Sequence, residues 1–183
     1  MDIKSKATEY VDDALLDSLR EIVEKAYADG YAEGCEDSKS SVDVELDDDD
    51  WVDLGLPSGL LWSKDYLRDE AGEIIYGTYS QAIQYSIPTE NDWMELRENC
   101  KTDLSGIYKT FQGPNGEMLN FYCYGREECG VVKDKYERAY LWIEDEQPSG
   151  NDRSCISLEN YAYSSLSSTF QGFGLPIRLV REK

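Results

Sequence analysis

Trp51-Val52-Asp53-Leu54-Gly55-Leu56-Pro57-Ser58-Gly59-Leu60-Leu61-Trp62 is the stretch whose reading decides the fold. Val52, Leu54 and Leu56 alternate with polar or very small residues, the period of a strand with one buried face. Pro57-Ser58-Gly59 supplies a turn, because Pro presets one φ and Gly tolerates a positive one. Leu60, Leu61 and Trp62 then restart an apolar run. The spacing predicts a β-hairpin that opens a compact domain and carries a Trp at each end of its core face.

Upstream, Asp47 to Asp50 are consecutive carboxylates whose mutual repulsion favours an extended, solvated chain. Together with the polar stretch from Cys35 they read as an acidic linker over 35–50. The central Gly and distal Glu of a helix-loop-helix calcium site are missing from the run. Before it, Val11, Leu15, Leu19, Ile22 and Ala26 recur at spacings of four and three, an amphipathic helix within 1–34. Ser5 or Thr8 suits its start, and Gly30 and Gly34 its end. The stripe is too short to argue for a coiled coil. Two readings stay open: packing onto its own domain, or an anchor that docks into a larger assembly or forms a homo-trimer.

Downstream, the chain turns to short strands and turns. Ile87-Pro88-Thr89-Glu90-Asn91-Asp92-Trp93 is a helix start, with Thr89 as N-cap and Asp92 completing a capping-box-like pair. Trp93, Leu96 and Cys100 share one face, and the helix should stop between Asn99 and Thr102. Gly106 to Phe111 and Glu117 to Tyr124 read as two arms of a hairpin around Gly113-Pro114-Asn115-Gly116, with Met118, Phe121 and Cys123 among the apolar positions of the second. Ala139 to Ile143 reads as a short buried strand, Ser154 to Leu158 and Ala162 to Leu166 as further strands, and Gly174 to Val180 as the closing one. The class is α+β, with mostly short antiparallel strands and one or two helices in a domain over 51–183.

Composition narrows the function classes. The formal net charge of −20 opposes binding to nucleic acid phosphates and anionic membranes, so neither is expected as a partner. The chain has five Cys, no Cys-x-x-Cys spacing and no His, which removes the common zinc sites and His-based catalysis. Neither a metal nor a cofactor is expected. Cys123 and Cys129 are close enough in sequence to pair across a loop. The N-terminus lacks an apolar signal region and no apolar run reaches the length of a membrane span. The expectation is a chain made in the cytoplasm that reaches a surface by another route, such as virion assembly.

Several of these stretches together resemble the Fibrobacter succinogenes major paralogous domain of Bacteroidetes and their phages. The opening Val52 to Trp62 matches its signature, Ile87 to Leu96 its helix, and Phe111 to Gly116 its hairpin turn. Tyr140-Leu141-Trp142 falls on an aromatic motif, and Gly174 to Arg181 on the terminal strand. The resemblance runs over roughly Trp51 to Arg181 in order. It departs after the first Trp, where the family's usual insert is reduced to Tyr76-Gly77-Thr78-Tyr79, and after Trp142, where Ile143-Glu144 replace two serines. The family implies a C-type-lectin-like fold, related to formylglycine-generating enzymes and to retroelement variable proteins.

The resemblance and the residues agree on where a ligand would sit. Ser149 to Gln171 is rich in Ser, Tyr and Asn, a composition that gives broad contact area at low entropic cost and adaptable hydrogen bonds. A plain polar loop between strands has the same composition. In lectin-fold variable proteins this region displays the contacts, which implies Tyr140, Trp142, Asn160, Tyr161, Tyr163, Ser165 and Ser167 here. An enzymatic reading finds less: no basic cluster surrounds Cys123 and Cys129, because Arg126 is offset by Glu127 and Glu128. The sugar-binding motifs of calcium-dependent lectins are also missing. The resulting expectation is a non-enzymatic display protein of a virion or surface assembly that recognises a host-surface glycan or protein. Its helix would dock other virion or assembly proteins. The alternative is a structural decoration or docking protein without a ligand of its own.

Overall fold

The structure is a computed structural model that describes residues 46–145, 150–159 and 165–183. The stripe Val11, Leu15, Leu19, Ile22 and Ala26, and the linker before Leu46, lie outside the described residues. The described part is α+β and mainly β: short antiparallel strands with few helices.

The opening hairpin forms. β1 (Trp51–Asp53) pairs antiparallel with β2 (Leu61–Ser63), and Gly59 N–H donates to Leu56 O at 2.9 Å in the expected turn. Its two tryptophans, however, do not share a face. Val52 lies opposite Trp62 and both enter the core, whereas Trp51 lies opposite Ser63. Successive residues of a strand point to opposite sides, so Trp51 cannot join Val52. Its ring instead sits under the Arg181 guanidinium, 4.6 Å from the centroid.

The two ends of the domain meet on this hairpin. β13 (Val180–Arg181) pairs with the other edge of β2, so the first and last strands flank the same partner. That placement folds the end of the acidic run. Asp48–Asp50 form a 3₁₀ turn, Arg181 pairs with Asp48 at 2.7 Å, and Lys183 pairs with Asp53 at 2.7 Å. The expectation of an extended chain fails at Asp48 to Asp50, where the turn forms and β13 brings the Arg181 cation to Asp48.

Helix α1 (Tyr79–Ala82) is one turn, and α2 (Glu90–Asn99) is the predicted helix. Thr89 Oγ1 accepts from the Asp92 N–H at 3.2 Å while Asp92 Oδ2 accepts from the Thr89 N–H at 2.8 Å, the reciprocal box read from the sequence. Trp93 and Leu96 are buried and Cys100 is half-buried. β5 (Tyr108–Gln112) and β6 (Met118–Tyr122) form the predicted hairpin, to which β4 (Lys101–Asp103) adds a third strand. Met118 faces solvent, so the buried positions of β6 are Leu119 and Phe121, followed by Cys123. β7 (Arg126–Glu128) and β8 (Val131–Lys133) make a small hairpin in a stretch where the sequence offers no apolar alternation.

β9 (Arg138–Trp142), β10 (Asp152–Glu159) and β11 (Ser165–Phe170) form a meander in the order β11-β10-β9. The closing segment is not one strand. β12 (Leu175–Pro176) pairs with β3 (Tyr76–Gly77), and the chain leaves the ladder before β13. Pro176 has no N–H to extend the ladder, and Arg178 turns inward.

β9 is the wall between two apolar clusters. Ala139, Leu141 and Ile143 face one, with Trp62, Trp93, Phe111 and Phe121. Tyr140 and Trp142 face the other, with Tyr79, Cys155, Leu175 and Ile177. A strand buried on both sides reads as a continuous apolar run, as Ala139 to Ile143 does.

Several stretches distant in sequence meet in space. Asn115 Nδ2 donates to Asp53 O at 2.6 Å, setting the Gly113–Gly116 turn against β1. Glu95 accepts from Ser58 N–H at 2.8 Å and from Ser58 Oγ at 2.6 Å, fastening the opening turn to α2. Glu144 N–H donates to Pro88 O at 2.9 Å, tying the end of β9 to the helix start.

Candidate functional site

Burial divides the residues implied as ligand contacts. Trp142 is only 1% exposed: its indole N–H donates to Gly77 O at 2.7 Å and its ring meets Tyr79 edge-on at 5.5 Å. Tyr140 is also buried, its hydroxyl donating to Asp134 Oδ2 at 2.8 Å, with Arg126 5.5 Å from its ring centroid. Burial raises the Tyr140 pKa, so the phenol stays neutral. Both side chains belong to the second cluster, and their assignment as surface contacts is corrected. The physical reason is the double burial of β9, which leaves neither of its faces to a ligand.

The remaining implied contacts lie toward β11. Ser167 is exposed and sits opposite Cys155; Ser165 pairs with Ser157. Asn160, Tyr161 and Tyr163 lie outside the described residues. Leu166 and Ser168 are exposed beside Ser167, while on β10 Cys155, Ile156, Ser157 and Leu158 are all buried. A well-anchored strand thus backs an uncharged, solvent-facing one.

The thiols do not make a reactive pair. No disulfide joins Cys123 to Cys129 among the described residues. Cys123 is buried and desolvation raises its pKa, with Lys109 opposing. Cys155 is pushed up to about 12, first by burial. A thiol held in its protonated form is a poor nucleophile. Among the described residues, no three His, Cys, Asp or Glu side chains gather as a metal site, and no helix is long and apolar enough to cross a membrane.

A second surface went unread in the sequence. On the β4-β5-β6 sheet, Tyr108 pairs across strands with Tyr122 and Thr110 with Asn120. The Tyr108 and Tyr122 rings lie 5.6 Å apart, and Tyr124 continues the row 5.7 Å from Tyr122. Tyr108 is 46% and Tyr122 37% exposed. Arg68 donates to Tyr124 Oη at 2.9 Å and is itself held by Asp65 at 2.8 Å. The readable signal was period two: Met118, Asn120, Tyr122 and Tyr124 fall on one side, Leu119, Phe121 and Cys123 on the other.

Two buried cations hold this row from behind. Arg178 is 1% exposed and donates to Ser63 O at 3.0 and 2.8 Å, to Lys64 O at 2.5 Å and to Asn120 O at 2.7 Å. Its guanidinium lies 4.5 Å from the Phe121 centroid and 4.9 Å from that of Tyr66. Burial lowers its pKa, with Tyr66 and Asp65 opposing. Lys109, buried between Tyr108 and Thr110 in sequence, donates from Nζ to Leu104 O at 3.0 Å and to Gly106 O at 2.9 Å, fixing the turn before β5.

No family model matches the chain, and no curated protein or solved structure matches it either.

Proposed function

We propose that the chain is a non-enzymatic ligand-binding and display protein with a C-type-lectin-like domain. In this reading it is part of a phage virion or other Bacteroidetes surface assembly and recognises a host-surface glycan or protein. The N-terminal helix docks neighbouring assembly proteins or trimerises the chain, so weak single contacts are multiplied by copy number. The meeting of the opening stretch, α2, the Gly113–Gly116 turn and β13 around one core supports reading those stretches as fold determinants. The ligand surface then lies elsewhere.

The observation that carries the proposal is the β10–β11 pair. Buried Cys155, Ile156 and Leu158 anchor β10, and β11 presents Leu166, Ser167 and Ser168 to solvent without a charge. Binding residues are commonly held at the edge of a rigid scaffold in this way. The test is adhesion of the labelled full-length chain to intact cells from a panel of Bacteroidetes strains. We expect binding that falls at least about tenfold in the double variant Ser167→Arg, Ser168→Arg; because Ser167 hydrogen-bonds to buried Cys155, thermal unfolding is measured alongside, and the loss counts only where the variant stays folded. Absence of binding to every strain, or equal binding by the double variant, overturns the reading.

The alternative, a structural virion decoration, is favoured by the withdrawal of Tyr140 and Trp142 into the core. Under it the chain copurifies with particles and adheres to no cells.

A further inference from the structure

We infer that the Tyr108–Tyr122–Tyr124 face of the β4-β5-β6 sheet is a binding site for a neutral, soluble oligosaccharide, separate from the β11 surface. The inference rests on the reading of the chain as a binding module but not on the hairpin contacts.

The chemistry starts with the rings. An aromatic face carries partial negative charge, so it attracts the polarised C–H groups that a pyranose ring presents on its flat side. Tyr108 and Tyr122, with centroids 5.6 Å apart, are the exposed rings of the face, while Tyr124 is half-buried, edge-on to Tyr66 at 5.6 Å and 5.8 Å from the Arg68 guanidinium, and closes the end of the row. The rings are tilted by 56° and 39° to one another, so the row is twisted. A twisted row follows a free chain, which turns from unit to unit, and mismatches the flat face of a crystalline polysaccharide.

Hydroxyl recognition needs polar groups beside the rings. Thr110 Oγ1 donates to Asn120 Oδ1 at 2.8 Å, which commits the amide oxygen and leaves the amide nitrogen as the donor on this face. Asp103 lies opposite Thr110 and Lys101 opposite Gln112, so donors and acceptors border the row on one side. Arg68, ion-paired with Asp65, borders it on the other. Alternation of rings with hydrogen-bonding side chains suits an amphipathic sugar better than a smooth apolar protein patch.

Charge selects the saccharide class. The chain carries a net charge of −20, the Arg68 cation is already matched by Asp65, and exposed Lys101 at the border is offset by nearby Asp103, so an anionic glycan meets net repulsion. Neutral hexose or N-acetylhexosamine chains meet none. The face is also preorganised: Asn120 O is held by Arg178, Tyr122 O accepts from Tyr66 Oη at 3.5 Å, and Tyr76 Oη donates to Tyr124 O at 2.9 Å. The backbone that carries Tyr122 is therefore already ordered before a ligand arrives.

The experiment titrates the full-length chain, by calorimetry and by tyrosine-region NMR shifts, with soluble cello-, malto-, manno- and chito-hexaoses. Oligogalacturonate serves as the anionic probe and crystalline cellulose as the flat one. We expect at least one neutral hexaose to bind, and the anionic and crystalline probes to bind at least about tenfold more weakly. Tyr108→Ala and Tyr122→Ala should each reduce affinity about tenfold or more, consistent with about 1–3 kcal/mol per aromatic stacking contact. Both positions are exposed, so the variants should fold; Tyr122→Phe, which keeps the ring, should retain most of the affinity. Binding of no neutral hexaose, or full affinity in Tyr108→Ala and Tyr122→Ala, overturns the inference. Affinity lost in Ser167→Arg, Ser168→Arg but kept in the tyrosine variants also overturns it, while leaving the hairpin reading standing.

Discussion

Replacing Arg178 with Met tests whether a buried cation holds the domain together. The side chain supplies hydrogen bonds to three main-chain acceptors, Ser63 O, Lys64 O and Asn120 O, which lie on segments distant in sequence. Met fills much of the same volume but donates nothing. Each buried acceptor left without its donor costs about 1–3 kcal/mol. Against this, removing a buried charge recovers several kcal/mol of desolvation. The rings of Phe121 and Tyr66 also lose a cation held 4.5 and 4.9 Å from their centroids, a contact worth about 1–2 kcal/mol each when desolvated. Summed, the losses are about 5–13 kcal/mol against several recovered, and because Lys64 O and Asn120 O are only part-buried the low end applies, a net loss of at least about 2 kcal/mol against the roughly 5–15 kcal/mol typical of a domain. Arg178→Lys should lose a similar amount, because an ammonium lacks the planar fork that reaches separate carbonyls. Urea unfolding followed by tryptophan fluorescence reads both. A Met variant within about 0.5 kcal/mol of the parent would refute the reasoning; the carbonyls would then be finding other partners.

Two further predictions follow from backbone proximity and from titration. A Cβ at Gly113 would run into the Leu54 carbonyl and lie 2.7 Å from Leu54 Cβ, whereas one at Gly116 meets nothing but must adopt a φ of +93°. Gly113→Ala should therefore cost about 3 kcal/mol and Gly116→Ala about 1 kcal/mol; the reverse order in urea unfolding would break the argument that the turn docks on β1. Burial raises Cys155 from 9.0 to about 12 and Tyr76 from 10.0 to about 12. The neutral forms are favoured in the fold, so the stability they contribute is complete below their unfolded pKa values and is lost as pH rises toward 12. Unfolding free energy should fall across pH 9 to 12, and Cys155→Ala should flatten the slope; an unchanged slope rules out the thiol as a source.

The parts legible in the sequence were those governed by neighbours along the chain. The Thr89–Asp92 box, the Leu56–Gly59 turn and the Gly113–Gly116 turn depend on local chemistry, and each appears where the residues place it. Faces were harder. Trp51 and Trp62 both look like core residues, but cross-strand register puts them on opposite sides. Tyr140 and Trp142 look like display residues because Tyr and Trp suit both a binding surface and a core. What separates the cases is whether a strand has cover on both sides, and for β9 that cover comes from Gly77, Tyr79 and the closing segment. The tyrosine row was legible by period two but lay in a hairpin valued for its turn.

Arg178 shows why the remainder resists local reading. An arginine between Ile177 and Leu179 has the pattern of a strand with a solvated charge, and every nearby residue agrees with that reading. Its burial depends on Ser63, Lys64 and Asn120 offering carbonyls to one point, which no local pattern encodes. The same contact links fold to site. Asn120 lies on the face that carries Tyr122, so the cation that closes the domain also fixes the strand bearing the ring row. Loss of Arg178 should therefore weaken saccharide binding even where the chain stays folded. Loss of Tyr108 should weaken binding without touching stability. That asymmetry separates a preorganised binding face from tyrosines that merely happen to be exposed.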